Sequence, residues 1–189
     1  MAKVSAGLYF INDNNERHKY MRGLISITII TATAGLLIFS PIEAATKKDH
    51  ADSVVVFKQK RELILYKKQD TLKIYDVALG KSPTGPKERQ GDQKTPEGRY
   101  LIDWRNVNSQ FHLSLHISYP NARDKARADS LKVHPGGDIM IHGLPDKYSW
   151  LGKRHLWYDW TNGCIAVTNE EIEEIWELVR DGTPITIYP

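Results

Sequence analysis

Ser53-Val54-Val55-Val56-Phe57, then Lys58-Gln59-Lys60-Arg61-Glu62, then Leu63-Ile64-Leu65-Tyr66: a β-branched run, a charged interruption and a second apolar run. Such a pattern reads as a β-hairpin. Lys67–Thr71 turns again and Leu72–Leu79 supplies a third strand, so the domain opens on hairpins and not on a βαβ unit. Lys58–Glu62 and Lys67-Lys68 are expected to be solvated turns. Working outward, 80–97 contains Gly80, Pro83, Gly85, Pro86, Gly91 and Pro96, too many breakers for a regular element, and reads as a long loop, either functional or mobile. Arg99–Trp104, Phe111–Tyr119, Asp138–His142, Cys164–Val167 and Pro184–Tyr188 follow as strands, and Asn121–Leu131 as a loop or short helix. Residues 144–160 form an irregular aromatic segment. Thr168-Asn169-Glu170-Glu171 has capping-box spacing, and Ile172, Ile175, Trp176 and Val179 then mark one apolar helix face. The expected fold is mainly β, a β-sandwich or open barrel of mixed sheets with one C-terminal α-helix.

Upstream, Gly23 to Ile42 carries no charge, Lys19 and Arg22 precede it, and Pro41-Ile42-Glu43-Ala44-Ala45 follows. The order of basic flank, apolar run and small residues reads as a secretory signal peptide cleaved near Ala44 or Ala45. The competing reading is an uncleaved anchor through 23–42, because roughly 20 apolar residues span a bilayer. Residues 1–20 are either a long basic leader or lie before an ordinary start at Met21-Arg22. Both readings place the remainder outside the cytoplasm, in the periplasm or cell envelope. The expected organisation is therefore 1–44 as signal peptide or anchor, 45–52 as linker and 53–189 as one catalytic domain.

The chain has 189 residues, 26 Lys+Arg against 23 Asp+Glu and a net charge of +3, with 41% hydrophobic residues. A globular domain is affordable at that composition, and no basic stripe suggests nucleic acid. A single cysteine excludes an internal disulfide and any multi-cysteine metal site. Cys164 follows Thr161-Asn162-Gly163 and begins a strand. It is either a buried inert thiol or a nucleophile; a preceding glycine lets backbone amides approach an oxyanion. His142 ends an apolar strand before Gly143, where it can serve as a base for Cys164 if their strands are neighbours, or simply cap the strand. His112 and His116 are poor partners for one ion, since at about 3.3 Å per residue they lie roughly 13 Å apart on a strand. No metal or cofactor is expected.

Ile141-His142-Gly143 followed by Thr161-Asn162-Gly163-Cys164-Ile165 resembles the signature of the L,D-transpeptidase catalytic domain family. Gly91-Asp92-Gln93-Lys94-Thr95-Pro96-Glu97-Gly98 resembles its Thr-Pro-x-Gly loop, and Asp181–Ile187 its ending. The resemblance implies that Cys164 is the nucleophile and His142 the general base. It implies that Gly163 forms the oxyanion turn, with the amides of 163 and 164 as donors, and that Thr161 positions it. Two departures stand out: Asn162 replaces a second histidine, and Ala166 replaces an arginine two residues after the cysteine. Asn162 hydrogen-bonds but cannot shuttle a proton. Lys147, Lys153 or Arg154 are candidates to supply the missing charge. His155, Arg154 and Trp160 are candidate substrate contacts, and the aromatics of 148–160 are expected either to form a lid or to pack on the sheet. The implied partners are peptidoglycan stem peptides. The implied reaction is a thioester on Cys164 passed to an amine, with a hydrolase on the same scaffold (L,D-carboxypeptidase, or amidase releasing wall-linked protein) and an inactive wall-binding module as alternatives. The sequence does not set the oligomeric state.

Overall fold

The computed structural model describes residues 49–189. The expected signal peptide or anchor, including 23–42, and the first part of the linker lie outside the described residues. Among the described residues no helix is long and apolar enough to cross a membrane.

The strands are β1 (Ser53–Phe57), β2 (Glu62–Lys67), β3 (Asp70–Asp76), β4 (Gly98–Ser109), β5 (His112–Ile117), β6 (Met140–His142), β7 (Ile165–Ala166) and β8 (Pro184–Tyr188). They form one mixed sheet in the order β3-β2-β1-β8-β4-β5-β6-β7. Val54 and Val56 of β1 are fully buried while their neighbours are half-exposed, the period-2 signature of a strand with one face on the core. The first hairpin pairs Val55 with Ile64. β8 enters between the halves, parallel to β1 and antiparallel to β4. The expected mainly β architecture takes the open-barrel form, a curled sheet. Its two edges communicate: just past β3, Ala78 exchanges hydrogen bonds with Ala166 of β7 at 2.9 and 2.8 Å, and Gly80 bridges Thr161.

Helix α1 (Ala122–Ser130) settles the open reading of 121–131: Asn121 accepts from the amides of Arg123 and Asp124, and Asp124 accepts from the amide of Asn121. Helix α2 (Asn169–Leu178) begins at the expected box of Thr168 and Glu171 and buries Ile172, Ile175 and Leu178. It packs over β5 and β6. The core joins that face to Leu63, Leu65, Ile102, Leu115, Ile117, Ile141, Ile165 and Ile185. Residues 146–157 form two short 3-10 turns separated by Gly152. His112 straps the first of these to α2, holding Asp146 with Nδ1 at 2.8 Å and Glu173 with Nε2 at 2.7 Å. The hydrogen bond to Glu173, helped by Asp146, raises the imidazole pKa.

One solvated-turn expectation is overturned. Lys58 is 2% exposed, and its Nζ reaches Glu97 Oε1 at 2.7 Å and the carbonyls of Gly85 and Thr95 at 2.7 and 3.0 Å. A buried ammonium needs such partners, and here it fastens loop 80–97 to the first hairpin. Within the loop, Asp92 accepts from the amides of Glu88, Arg89 and Lys94 and pairs with buried Lys87 at 2.8 Å.

Candidate active site

β7 runs parallel to β6 with Ile141 opposite Ile165 and His142 opposite Ala166. Continuing that register sets Cys164, immediately before β7, opposite Met140. With side chains alternating between faces, Cys164 and His142 share a face, two residues out of step on adjacent strands, roughly 8 Å apart at the backbone. Ile141 and Ile165 point the other way, into the core. Both functional candidates line a single cleft of about 650 Å³ with Ser114, Trp160, Thr161 and Asn162, and Phe111, Asn106 and Asn108 form its far wall. A second cleft of about 420 Å³, bounded by Gln90, Gln93, Gly136 and Gly137, also includes Cys164. Asp138, Asn162 and Cys164 belong to both.

His142 is buried under Phe111 and Trp160, with ring centroids 4.5 and 5.7 Å away. Its Nδ1 lies 2.6 Å from the Gly143 carbonyl. A carbonyl only accepts, so Nδ1 carries the proton and Nε2 is the basic nitrogen. Burial lowers the imidazole pKa to about 4, with the Gly143 bond opposing and His155 adding to the shift. Half-buried Cys164 has its thiol pKa raised, first by burial and then by the carboxylate of Asp138; the Met140 amide and Lys87 oppose. Its Sγ contacts the Asp138 carbonyl at 3.5 Å. The resting pair is thus neutral thiol and neutral imidazole.

The turn before the thiol is set by Thr161, which is buried. Its Oγ1 donates to the Cys164 carbonyl at 2.8 Å and accepts from the Gly163 amide at 3.1 Å. This corrects one expectation: the Gly163 amide is committed to Thr161 and is not free for an oxyanion. The Cys164 amide makes no hydrogen bond among the described residues. Gly163 has φ of 132°, and a Cβ there would sit 2.7 Å from the Lys94 carbonyl oxygen, so the glycine serves conformation and close packing. Gly80 meets the same constraint, since its Cβ would stand 2.2 Å from the Gln93 oxygen. The Thr-Pro loop therefore backs the turn of Thr161–Cys164.

Other candidates fall elsewhere. His155 is buried away from both clefts, and its Nδ1 accepts from the Trp160 indole at 3.2 Å. Its Nε2 has no partner among the described residues, and burial lowers its pKa. It reaches the site through Trp160, which does line the cleft, and through its electrostatic effect on His142. Arg154 is exposed and borders neither cleft; Lys147 sits over the Tyr148 ring and Lys153 beside Asp76 and Glu171. Of the aromatics of 148–160, Trp160 alone lines the thiol cleft; Tyr148 and Tyr158 line, with Leu151, an apolar cleft of about 380 Å³ that shares Phe111 and Trp160 with it, and Trp150 and Trp157 face solvent. His116 is held by Asp103 at 2.6 Å and stacked on Trp104. The cation that does border the thiol cleft is Lys81. Sequence reasoning missed Lys81, Asp138, Phe111 and Ser114; the Pro135-Gly136-Gly137 run before Asp138 was the one available signal of a special turn.

Residues 51–187 match the YkuD family, described as the L,D-transpeptidase catalytic domain. A relative in Escherichia coli K12, "Putative L,D-transpeptidase YafK", is 31% identical over 176 residues, covering 82% of this chain and 64% of its own. The chain thus spans less than two thirds of that relative. Among solved structures, the helical cell shape determining protein Pgp2 of Campylobacter jejuni superposes with TM-score 0.55 at 23% identity, over 74% of this chain and 48% of Pgp2. Bd1075 of Bdellovibrio bacteriovorus gives 0.50 at 24% identity, over 72% and 47%. At those identities the two structures speak for the fold.

Proposed function

The chain belongs to the L,D-transpeptidase catalytic domain family, and we propose that it works outside the cytoplasm as a cysteine acyltransferase on peptidoglycan stem peptides. The supporting observation is that two clefts meet at one thiol whose neighbour on the same sheet face is a histidine with its Nε2 unprotonated. A donor in the larger cleft and an acceptor in the smaller one would each reach the same sulfur, as two-step acyl transfer requires.

The Cys164 sulfur attacks the carbonyl joining the L-centre of diaminopimelate to terminal D-alanine, and the thiol proton passes to Nε2 of His142. Because burial keeps both groups uncharged, the proton moves with the attack and not before it. The Cys164 amide donates to the tetrahedral oxygen. On collapse the C–N bond breaks, His142 returns the proton to the departing amine, and a thioester remains. An amine of a second stem then attacks the thioester, loses its proton to His142, and frees the thiol.

Hydrolysis is the second reading, favoured by Ala166. Its backbone is tied to Ala78 and its side chain is buried, so no guanidinium stands where the family pattern has one. Water would then resolve the thioester, giving a carboxypeptidase or an amidase. A carbapenem should leave a mass adduct on the protein and none on Cys164→Ala. Absence of the adduct on folded wild-type protein would leave the inactive-module reading. Muropeptides incubated with and without an amine acceptor separate transfer from hydrolysis by their products.

A further inference from the structure

Two opposite charges border the thiol cleft, Lys81 and Asp138, and among the described residues neither forms an ion pair. Each is placed by backbone geometry. The amide of Lys81 donates to the Thr161 carbonyl at 3.1 Å, so the residue is pinned beside the catalytic turn. Asp138 has φ of 55°, a conformation that Asp tolerates better than most residues, and its carbonyl receives the Cys164 thiol at 3.5 Å. The remaining cation nearby, Lys87 in the second cleft, is neutralised by Asp92 at 2.8 Å and also donates to the Arg89 carbonyl. His142 and Cys164, the other titratable groups of the first cleft, are uncharged at neutral pH.

We propose that the cleft reads a zwitterion: Asp138 takes the free ammonium, and Lys81 the free carboxylate, of one unmodified α-amino acid terminus on the substrate. This rests on the reading of Cys164 as the acylated nucleophile and narrows its substrate to stems whose diamino acid keeps both groups free. It also explains a placement that is otherwise adverse. The Asp138 carboxylate opposes formation of the Cys164 thiolate, and a bound ammonium would cancel that opposition only when the correct substrate is present. Lys81 supplies the cation that Ala166 lacks, from loop 80–97.

Three synthetic stem tetrapeptides test the proposal, with the diamino acid terminus free, acetylated on its amine, or amidated on its carboxylate. D-alanine release by the wild-type protein should fall about tenfold or more in kcat/KM for each blocked stem, because a site built for a polar group rejects an analogue lacking it. Asp138→Asn, which suits the same backbone conformation, should erase the acetylation penalty and keep the amidation penalty; Lys81→Met should do the reverse. Asp138→Asn should also shift the pH profile of Cys164 alkylation to lower pH in the substrate-free protein. A merely structural role would not produce crossed penalties. Equal rates for all three stems, or variants that keep both penalties, would overturn the proposal. Calorimetric binding of the same stems to Cys164→Ala reads the pattern without turnover. Discrimination there with no D-alanine release would condemn the acyl-transfer reading alone, and carbapenem labelling without discrimination would condemn the zwitterion alone.

Discussion

At Cys164 and His142 burial favours the uncharged form of each group, which gives the site a definite response to acid. An unfolded histidine binds its proton near pH 6.5, whereas His142 in the fold does so at about 4. The unfolded state therefore carries more protons between those values, so the stability associated with this side chain is complete above about 6.5 and declines as pH falls through about 4. Between about pH 7 and about pH 4.5 the loss should be roughly 2–3 kcal/mol, read by urea denaturation. His142→Gln should lack this component. The acidic limb of kcat/KM for the wild-type protein should likewise lie well below the ordinary histidine range. That Cys164 and His142 could meet was legible in the sequence because each sits at a strand end beside glycine, where a side chain faces a loop-lined space. Lys81 and Asp138 were not, because their proximity depends on which distant loops converge. The Gly163 amide looked available until Thr161 was seen to occupy it, a choice between two nearby partners that sequence spacing does not make.

Among the elements, loop 80–97 carries the heaviest demand. Its Lys94 carbonyl packs against the turn of Gly163, and Thr95 Oγ1 accepts from the Gly80 amide at 3.1 Å. Lys58 holds this loop from below with three contacts. Lys58→Met should cost about 1–3 kcal/mol through the acceptors left unpaired, raise hydrogen–deuterium exchange across 80–97, and leave β5 protected. Unchanged exchange in the loop would show that Asp92 and Lys87 hold it without Lys58. The hairpin strands, β8 and α2 could be read in advance from alternation, helical period and a capping box. β4 runs to Ser109, past the expected Trp104, because pairing with β5 continues to His112 through two register shifts. Its polar end, Arg105 to Ser109, offers no apolar alternation to announce a strand. Lys58 defeated the reading for a related reason: a lysine in a charged turn gives no sign that three acceptors from a distant loop will enclose it.

At the largest scale the decisive element is β8, the strand that pairs with both β1 and β4 and so joins the two halves of the sheet along their facing edges, while Ala78 and Ala166 tie the outer edges by an isolated bridge. Thr186 pairs with Val55 on one side and Arg99 on the other. Thr186→Pro removes a donor from this central strand and should destabilise the entire domain by about 3 kcal/mol or more. The same change at Lys73 on edge strand β3 should be milder and local, and equal effects in thermal melts would deny β8 its joining role. The strand that unites the sheet is also the last in chain order. During synthesis the earlier strands emerge with β1 and β4 bare along their facing edges, open to pairing with other chains. Cys164 therefore waits on a segment made after it, and any chain stalled before residue 184 carries its thiol on a half-sheet held to the first hairpins only through the Ala78–Ala166 edge.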